Sequence, residues 1–390
     1  MLRFQTAGES HGQALVAWLG GLPASVPVDL AFINRELKRR QEGYGRGGRM
    51  KIETDRVEIY SGVRRSKTTG APVALIIFNK DWENWKDSLP VEEKADTAEK
   101  YKSLTSPRPG HADLAGCLKY DLREARLILE RASARETAAR VAAGAMAKLL
   151  LAQFEIEVLS HVVSVGDVRI EGDAKWEQIK EACAQEDVLF RCVDGAAELR
   201  MKAAVDDILR TGDTLGGIFE VVAHNVPAGL GTHTNWDERL DGLLAQAVMS
   251  IQAVKGVEIG TGIDSAVSLG SKVHDEIGYD RSERRFTRPA NHAGGLEGGI
   301  SNGEDVVVRG YLKPISTLRR PLGSVDLETK EPVKAAYERS DVCVVPAAGV
   351  AGEAMVALVL AKCFLEKFGG DSLGEMKRNF EGYLKQVRAF

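Results

Sequence analysis

At 390 residues, 44% hydrophobic and 28% charged, the chain is long enough to bury a substantial core as one large domain or two. A net charge of −4 speaks against non-specific nucleic-acid binding, which draws on surplus positive charge. Five cysteines (Cys117, Cys183, Cys192, Cys343, Cys363) without a C-x-x-C indicate neither a disulfide framework nor a zinc site. In chain order, Leu2 to Ala7 reads as a strand. A polar corner and a short apolar strand follow, Ala14 to Leu19, ended by Gly20-Gly21-Leu22-Pro23. Asp29 caps a helix with Ile33 and Leu37 on one face, and that helix runs out at Gly43. Arg49 to Val63 alternates in part and reads as strand, as does Ala71 to Phe78. The charged, Trp-bearing stretch Asp81 to Lys102 reads as surface.

The strongest helix spans Glu130 to Phe154, rich in Ala and apolar on a wide face through Ala138, Val141, Ala142, Ala145 and Leu149. Its small residues allow a neighbour to approach closely. Beyond it come a strand (Ile156 to Ile170), helices (Trp176 to Gln185 and Gly195 to Arg210) and a strand (Gly216 to His224). A helix from Asp237 to Val254 leads into a Gly-rich, basic middle, whose glycines at Gly294 to Gly303 suggest a loop ordered by ligand. The chain closes with a strand (Asp305 to Leu312) and helices over Ala347 to Phe368 and Ser372 to Arg388. Helices and strands mix without βαβ alternation, so the expected class is α+β, as a single domain over 1–390. The first residues lack a signal-peptide core, and the apolar stretch Met355 to Leu365 is too short and interrupted to span a bilayer. A cytoplasmic location is expected.

Two motifs tempt and fail. Gly8-Glu-Ser-His-Gly12 matches the G-x-S-x-G elbow of serine hydrolases, but an elbow needs a helix after Ser10, and the next segment reads as a strand. Gly43-Tyr-Gly45-Arg-Gly-Gly48 matches G-x-G-x-x-G, but follows a helix and opens a strand, the reverse of a dinucleotide site. What remains is a Gly-rich loop with Arg46 and Arg49, preceded by Arg39 and Arg40.

Four further stretches carry chemistry. Ser106-Pro-Arg-Pro-Gly-His111-Ala-Asp113 is a stiff loop with Arg108 and a histidine. Glu130-Arg-Ala-Ser-Ala-Arg135-Glu-Thr at the strongest helix places a hydroxyl and two arginines at free N–H groups. Lys313-Pro-Ile-Ser-Thr317 joins a cation, a proline and two hydroxyls, and Arg339-Ser-Asp341 precedes an apolar run. Two loop histidines, an acid and several arginines beside hydroxyls suit a multiply anionic ligand and proton transfer.

Taken in order, these blocks resemble the chorismate synthase family over essentially the whole chain: Gly8 to Gly12 through Pro23, Arg-Arg-Gln-Glu-Gly-Tyr-Gly-Arg46, Pro107 to Asp113, Glu130 to Thr137, Lys313 to Thr317, and Arg339 to Glu353. The resemblance implies a β-α-β sandwich with long helices layered between antiparallel sheets, assembled as a homotetramer. It implies a lyase converting 5-enolpyruvylshikimate 3-phosphate to chorismate and phosphate by 1,4-anti elimination, with reduced FMN and no net redox change. On that resemblance Arg40, Arg46, Arg108 and Arg135 bind substrate with Ser10 assisting. His11 is the general acid for the departing phosphate, His111 serves the reduced flavin, and Asp341 relays the proton lost from C6. Arg131, Ala132, Ser133, Gln252, Ala253, Gly298, Lys313, Pro314, Ile315, Ser316, Thr317 and Arg339 correspond to the family's FMN contacts, and no metal is implied. Members differ in how flavin is reduced. With no added domain and no nicotinamide fingerprint, dependence on an external flavin reductase is expected, and NADPH enters only as flavin reductant. A serine hydrolase using Ser10 and a non-enzymatic nucleotide- or RNA-binding protein are the alternatives.

Overall fold

The computed structural model describes residues 1–47, 53–92, 103–186, 188–338 and 341–390. The first strands are β1 (Arg3–Gly8) and β2 (Ala14–Gly20), followed by helix α1 (Leu30–Gln41), whose first turn is capped by the Asp29 carboxylate. Strands β3 (Glu58–Ser61) and β4 (Val73–Phe78) complete an antiparallel sheet in the order β1-β2-β4-β3. Period-2 patterning decides its faces: Val73, Leu75 and Ile77 of β4 point inward with Leu15, Ala17 and Leu19 of β2. The part of the expected Arg49–Val63 strand at 49–52 lies outside the described residues, and 53–57 are not strand.

The Ala-rich run is broken. Helices α2 (Asp113–Tyr120) and α3 (Ala125–Ala132) precede α4 (Thr137–Leu151), and Ser133 between α3 and α4 is extended (φ −61°, ψ 141°). Propensity alone reads one helix from Glu130; instead the Ser133 hydroxyl accepts from the Arg135 amide and a short 3-10 turn restarts the chain. Next come β5 (Glu157–Val165), β6 (Val168–Arg169), α5 (Trp176–Ala184), α6 (Gly195–Thr211), β7 (Gly217–His224), α7 (Leu240–Met249), β8 (Val254–Ile259) and β9 (Val306–Leu312). The helix expected over Asp237–Val254 therefore stops early and yields to β8. Strands β5 to β9 form a second antiparallel sheet in the order β8-β9-β7-β5-β6. Gly294 to Gly303 holds a small hairpin, Leu296–Glu297 against Ile300–Ser301, with Gly298 and Gly299 at its tip.

The last helices are α8 (Val345–Phe368) and α9 (Leu373–Ala389). The apolar stretch around Met355 belongs to this 24-residue α8, which by length and composition could cross a membrane but is mostly buried inside the protein. It packs against β5 and β7, while α4 packs against β2 and β4, and α4 and α8 pack on each other. With α1 and α7 beside them, these helices lie between the two sheets, a β-α-β sandwich. One buried apolar cluster runs through all three layers. The α4–α8 crossing is close because Gly144 has no side chain: a Cβ there would stand 2.3 Å from that of Ala354.

The helix layer also buries charges. Arg39 of α1 bonds Glu36 at 2.7 Å and Glu353 at 2.8 Å, and Lys148 of α4 bonds the same two carboxylates.

Candidate active site

A cavity of about 750 Å³ opens where the ends of these elements meet. The β1–β2 corner brings Ser10 and His11; the last turn of α1 and the loop after it bring Arg40 and Arg46; the loop before α2 brings Arg108 and His111. The break between α3 and α4 supplies Ala132, Ser133 and Arg135. Gln252 and Ala253 follow α7, Lys313 to Thr317 follow β9, and Asp341 stands ahead of α8. Of the residues named from sequence, Arg131 and Gly298 do not line it, and Arg339 lies outside the described residues. Arg131 turns onto the main chain of Thr6 and into a second, shallower hollow beside β1 and β2. Gly298 sits at its hairpin tip, away from the cavity.

Three arginines crowd on one wall, with Glu53 3.7 Å from Arg135 Nη2. Asp55 takes both Nη1 bonds of Arg135, at 2.6 and 2.7 Å, and also one from Arg40 at 3.1 Å. Asn79 accepts from the other side of Arg135 at 2.8 and 3.1 Å. Arg46 stands 3.4 Å from Asp341, which also accepts the Gly47 amide at 2.5 Å. Burial, helped by Arg135 and Arg46, lowers Arg40 to about 10 despite Asp55. Burial raises Asp55, but Arg40 and Arg135 outweigh it and hold that carboxyl below its usual range.

Each histidine has a carboxylate. His11 Nδ1 lies 2.9 and 3.1 Å from the two oxygens of Glu130, and its ring stacks on Trp85 with centroids 4.0 Å apart. His111 Nδ1 lies 2.5 Å from Asp113, which also takes Arg108 Nε at 2.8 Å and Nη2 at 3.1 Å. Burial would raise Asp113, but hydrogen bonds from His111 and Arg108 hold it well below the carboxylate range. Arg108 Nη1 donates to Thr317 at 2.9 Å, tying the Pro-rich loop to the segment after β9.

Trp85 corrects a sequence expectation: within Asp81 to Lys102 it is buried against His11 rather than surface, while 93–102 lie outside the described residues. Its signal was the Trp-x-x-Trp spacing, obscured by the charges around it. Asp55, Asn79 and Glu130 were likewise not singled out as site residues, since only folding brings them to their partners. The hydrolase geometry is absent, because β2 and not a helix follows Ser10, whose hydroxyl donates to Ser133 at 3.1 Å. Burial pushes the Cys343 thiol up to about 11.

A sandwich that gathers two histidine–carboxylate pairs and four arginines around one cavity defines an enzyme that binds a polyanion and moves protons. A family profile described as chorismate synthase matches residues 2–365. The chain is 66% identical to the chorismate synthase of Koribacter versatilis (strain Ellin345), with all of both chains covered. It is 52% identical to that of Aquifex aeolicus (strain VF5), over 100% and 99% of the two chains. A solved structure titled "Crystal Structure of Chorismate Synthase" superposes with a TM-score of 0.80 at 43% identity, covering 100% of this chain and 99% of the other. The chain belongs to the chorismate synthase family. It is a carbon–oxygen lyase that forms chorismate from 5-enolpyruvylshikimate 3-phosphate, the last step of the shikimate pathway.

The family works with a reduced flavin, and the wall residues fit one. Ala132, Ile251, Ala253, Ile315, Ala347 and Ala351 offer apolar surface for a planar ring, and Lys313, Ser316 and Thr317 offer donors for a phosphate or ring edge. Gln252 Oε1 and Arg40 Nε are buried and have no partner among the described residues.

Proposed function

We propose that this cavity takes 5-enolpyruvylshikimate 3-phosphate and reduced FMN together, and that the whole of 1–390 acts as one domain. The observation that carries the reading is the crowding of buried Arg40 and Arg135 on Asp55, with Arg40 Nε unpartnered among the described residues, beside both histidines. Arg40, Arg46, Arg108 and Arg135 hold the substrate's carboxylates and phosphate, with Ser10 assisting through its hydroxyl. As the C–O bond breaks, His11 gives a proton from Nε2 to the departing phosphate. Asp341 moves the proton lost from C6. Reduced FMN, when bound, supplies electron density to the breaking allylic system. His111, fixed by Asp113, would stand by the bound flavin and steady its negative charge. Ala132, Ser133, Gln252, Ala253 and Lys313 to Thr317 would hold the cofactor, and Arg131, Gly298 and Arg339 are kept as proposed cofactor contacts.

The flavin is reduced elsewhere, by an external reductase; the Gly43 loop follows α1 without a preceding strand, unlike a nicotinamide site. The active form is a homotetramer. Support comes from Trp18 and Phe78, 37% and 43% exposed at the four-stranded sheet.

The test is anaerobic turnover with chemically reduced FMN, following phosphate and chorismate together. His11→Ala is expected to lower kcat about 10²- to 10⁴-fold while keeping flavin binding, and Ser10→Ala much less. Equal, complete loss in Ser10→Ala alone would overturn the assignment.

A further inference from the structure

We infer that Glu130 is a positioning residue for proton transfer at His11, fixing both the tautomer and the direction of its ring. The inference rests on the reading of His11 as proton donor. An ionised carboxylate only accepts, so a ring nitrogen held by both its oxygens, at 2.9 and 3.1 Å, carries a hydrogen. Nδ1 is therefore the N–H that persists through the reaction, and Nε2 is the nitrogen that gives its proton to phosphate and is reprotonated from solvent once phosphate has left.

The grip extends beyond the ring. Glu130 Oε2 also accepts the His11 amide at 2.7 Å, and the Glu130 carbonyl accepts the Ser10 amide at 2.9 Å. The corner that carries His11 is thus bolted to the last turn of α3 through three separate donors. Trp85 closes the ring's face, and Arg126, 5.4 Å from the Trp85 ring centroid and 3.7 Å from Glu130, backs both. Burial would raise the Glu130 carboxyl, but bonds from His11 and the charge of Arg126 hold it below its usual range. With 2% exposure, Glu130 has almost no water to compete for these bonds.

A merely structural carboxylate and a positioning one differ in what they do to the imidazole. Protein carrying ¹⁵N-histidine, with His11→Asn to assign the resonance, is expected to show the neutral His11 ring as the Nδ1–H tautomer. Glu130→Gln retains the shape but loses the charge and replaces one of the two oxygens facing Nδ1 by an NH2 that donates instead of accepting. It is expected to mix the tautomers and to lower kcat about 100-fold. KM for 5-enolpyruvylshikimate 3-phosphate and flavin binding should stay within about 3-fold, the mark of a group acting only on the chemical step. A neutral wild-type ring that carries its hydrogen on Nε2 and none on Nδ1 overturns the inference without any variant at position 130. So does Glu130→Gln turning over within about 2-fold of wild type while His11→Ala is inactive, since a misaligned ring must slow the step. If His11→Ala itself turns over normally, the reading of His11 falls first, and that result is distinct from the other two.

Discussion

Arg39 and Arg40 are neighbours on α1 and serve opposite regimes. Arg39 enters a cluster of two cations and two anions, where Glu36 and Glu353 are shared with Lys148. Burial lowers Arg39, yet Glu353 and Glu36 carry it well above its ordinary value. Arg40 shares one carboxylate with Arg135 and has Arg46 close by, so burial and like charge win. A balanced buried cluster satisfies itself and is structural. One that leaves a buried guanidinium N–H without a partner among the described residues, as at Arg40 Nε, holds its geometry for an anion that arrives later, which is what a preorganised substrate site requires. The distinction lies in unmet hydrogen bonding, and chain position says nothing about it.

The largest way to test this contrast is to unbalance the structural cluster. Glu353→Ala leaves Arg39 and Lys148 buried with one carboxylate between them, and should reduce unfolding free energy by about 3–5 kcal/mol in urea titration. A loss below about 1 kcal/mol, the range of an exposed ion pair, would dissolve the distinction. Arg40→Met comes next and should behave oppositely. Asp55 keeps its bidentate partner Arg135, so stability should change by less than about 1 kcal/mol. KM for substrate should rise about 10- to 100-fold, the worth of a lost charge-assisted hydrogen bond. The smallest effect is in pH. Glu353 is held low chiefly against burial by Arg39 and Lys148, so its contribution is full above the ordinary value of 4.5 and is lost as pH falls through the lowered one. Stability should therefore drop on acidification below pH 4.5, with a slope from this one group of at most about 1.4 kcal/mol per pH. Glu353→Gln should flatten that limb more than Asp55→Asn; equal flattening would mean the two regions are not electrostatically distinct.

Much of the frame was legible from sequence because local rules agree with the fold. The Asp29 cap, the alternation of β4 and the small residues facing α8 from α4 all follow from pattern. The misses occurred where tertiary contacts override pattern. Ser133 interrupts an Ala-rich run because its hydroxyl caps the restart that carries Arg135 to Asp55, a bond spanning 80 positions. Pattern alone offers no strand at β8, because its six residues gain their identity only by pairing with β9. In the site, His11, His111 and the arginines stood out by type, and His111's partner Asp113 lies two residues away. The partner of His11 lies 119 residues away, so no spacing rule reaches it.

The missing side chain at Gly144 has a consequence for the cavity as well as the core. Gly144 lies seven residues along α4 from Thr137, and Ala354 three along α8 from Ala351, and both Thr137 and Ala351 line the cavity. At about 1.5 Å per residue the crossing sits roughly 10 Å and 5 Å from those walls. The width of the cavity is thus gauged outside it, like the throat of a clamp set by the thickness of its pivot. A single methyl group at that pivot would widen the jaws without touching a catalytic atom.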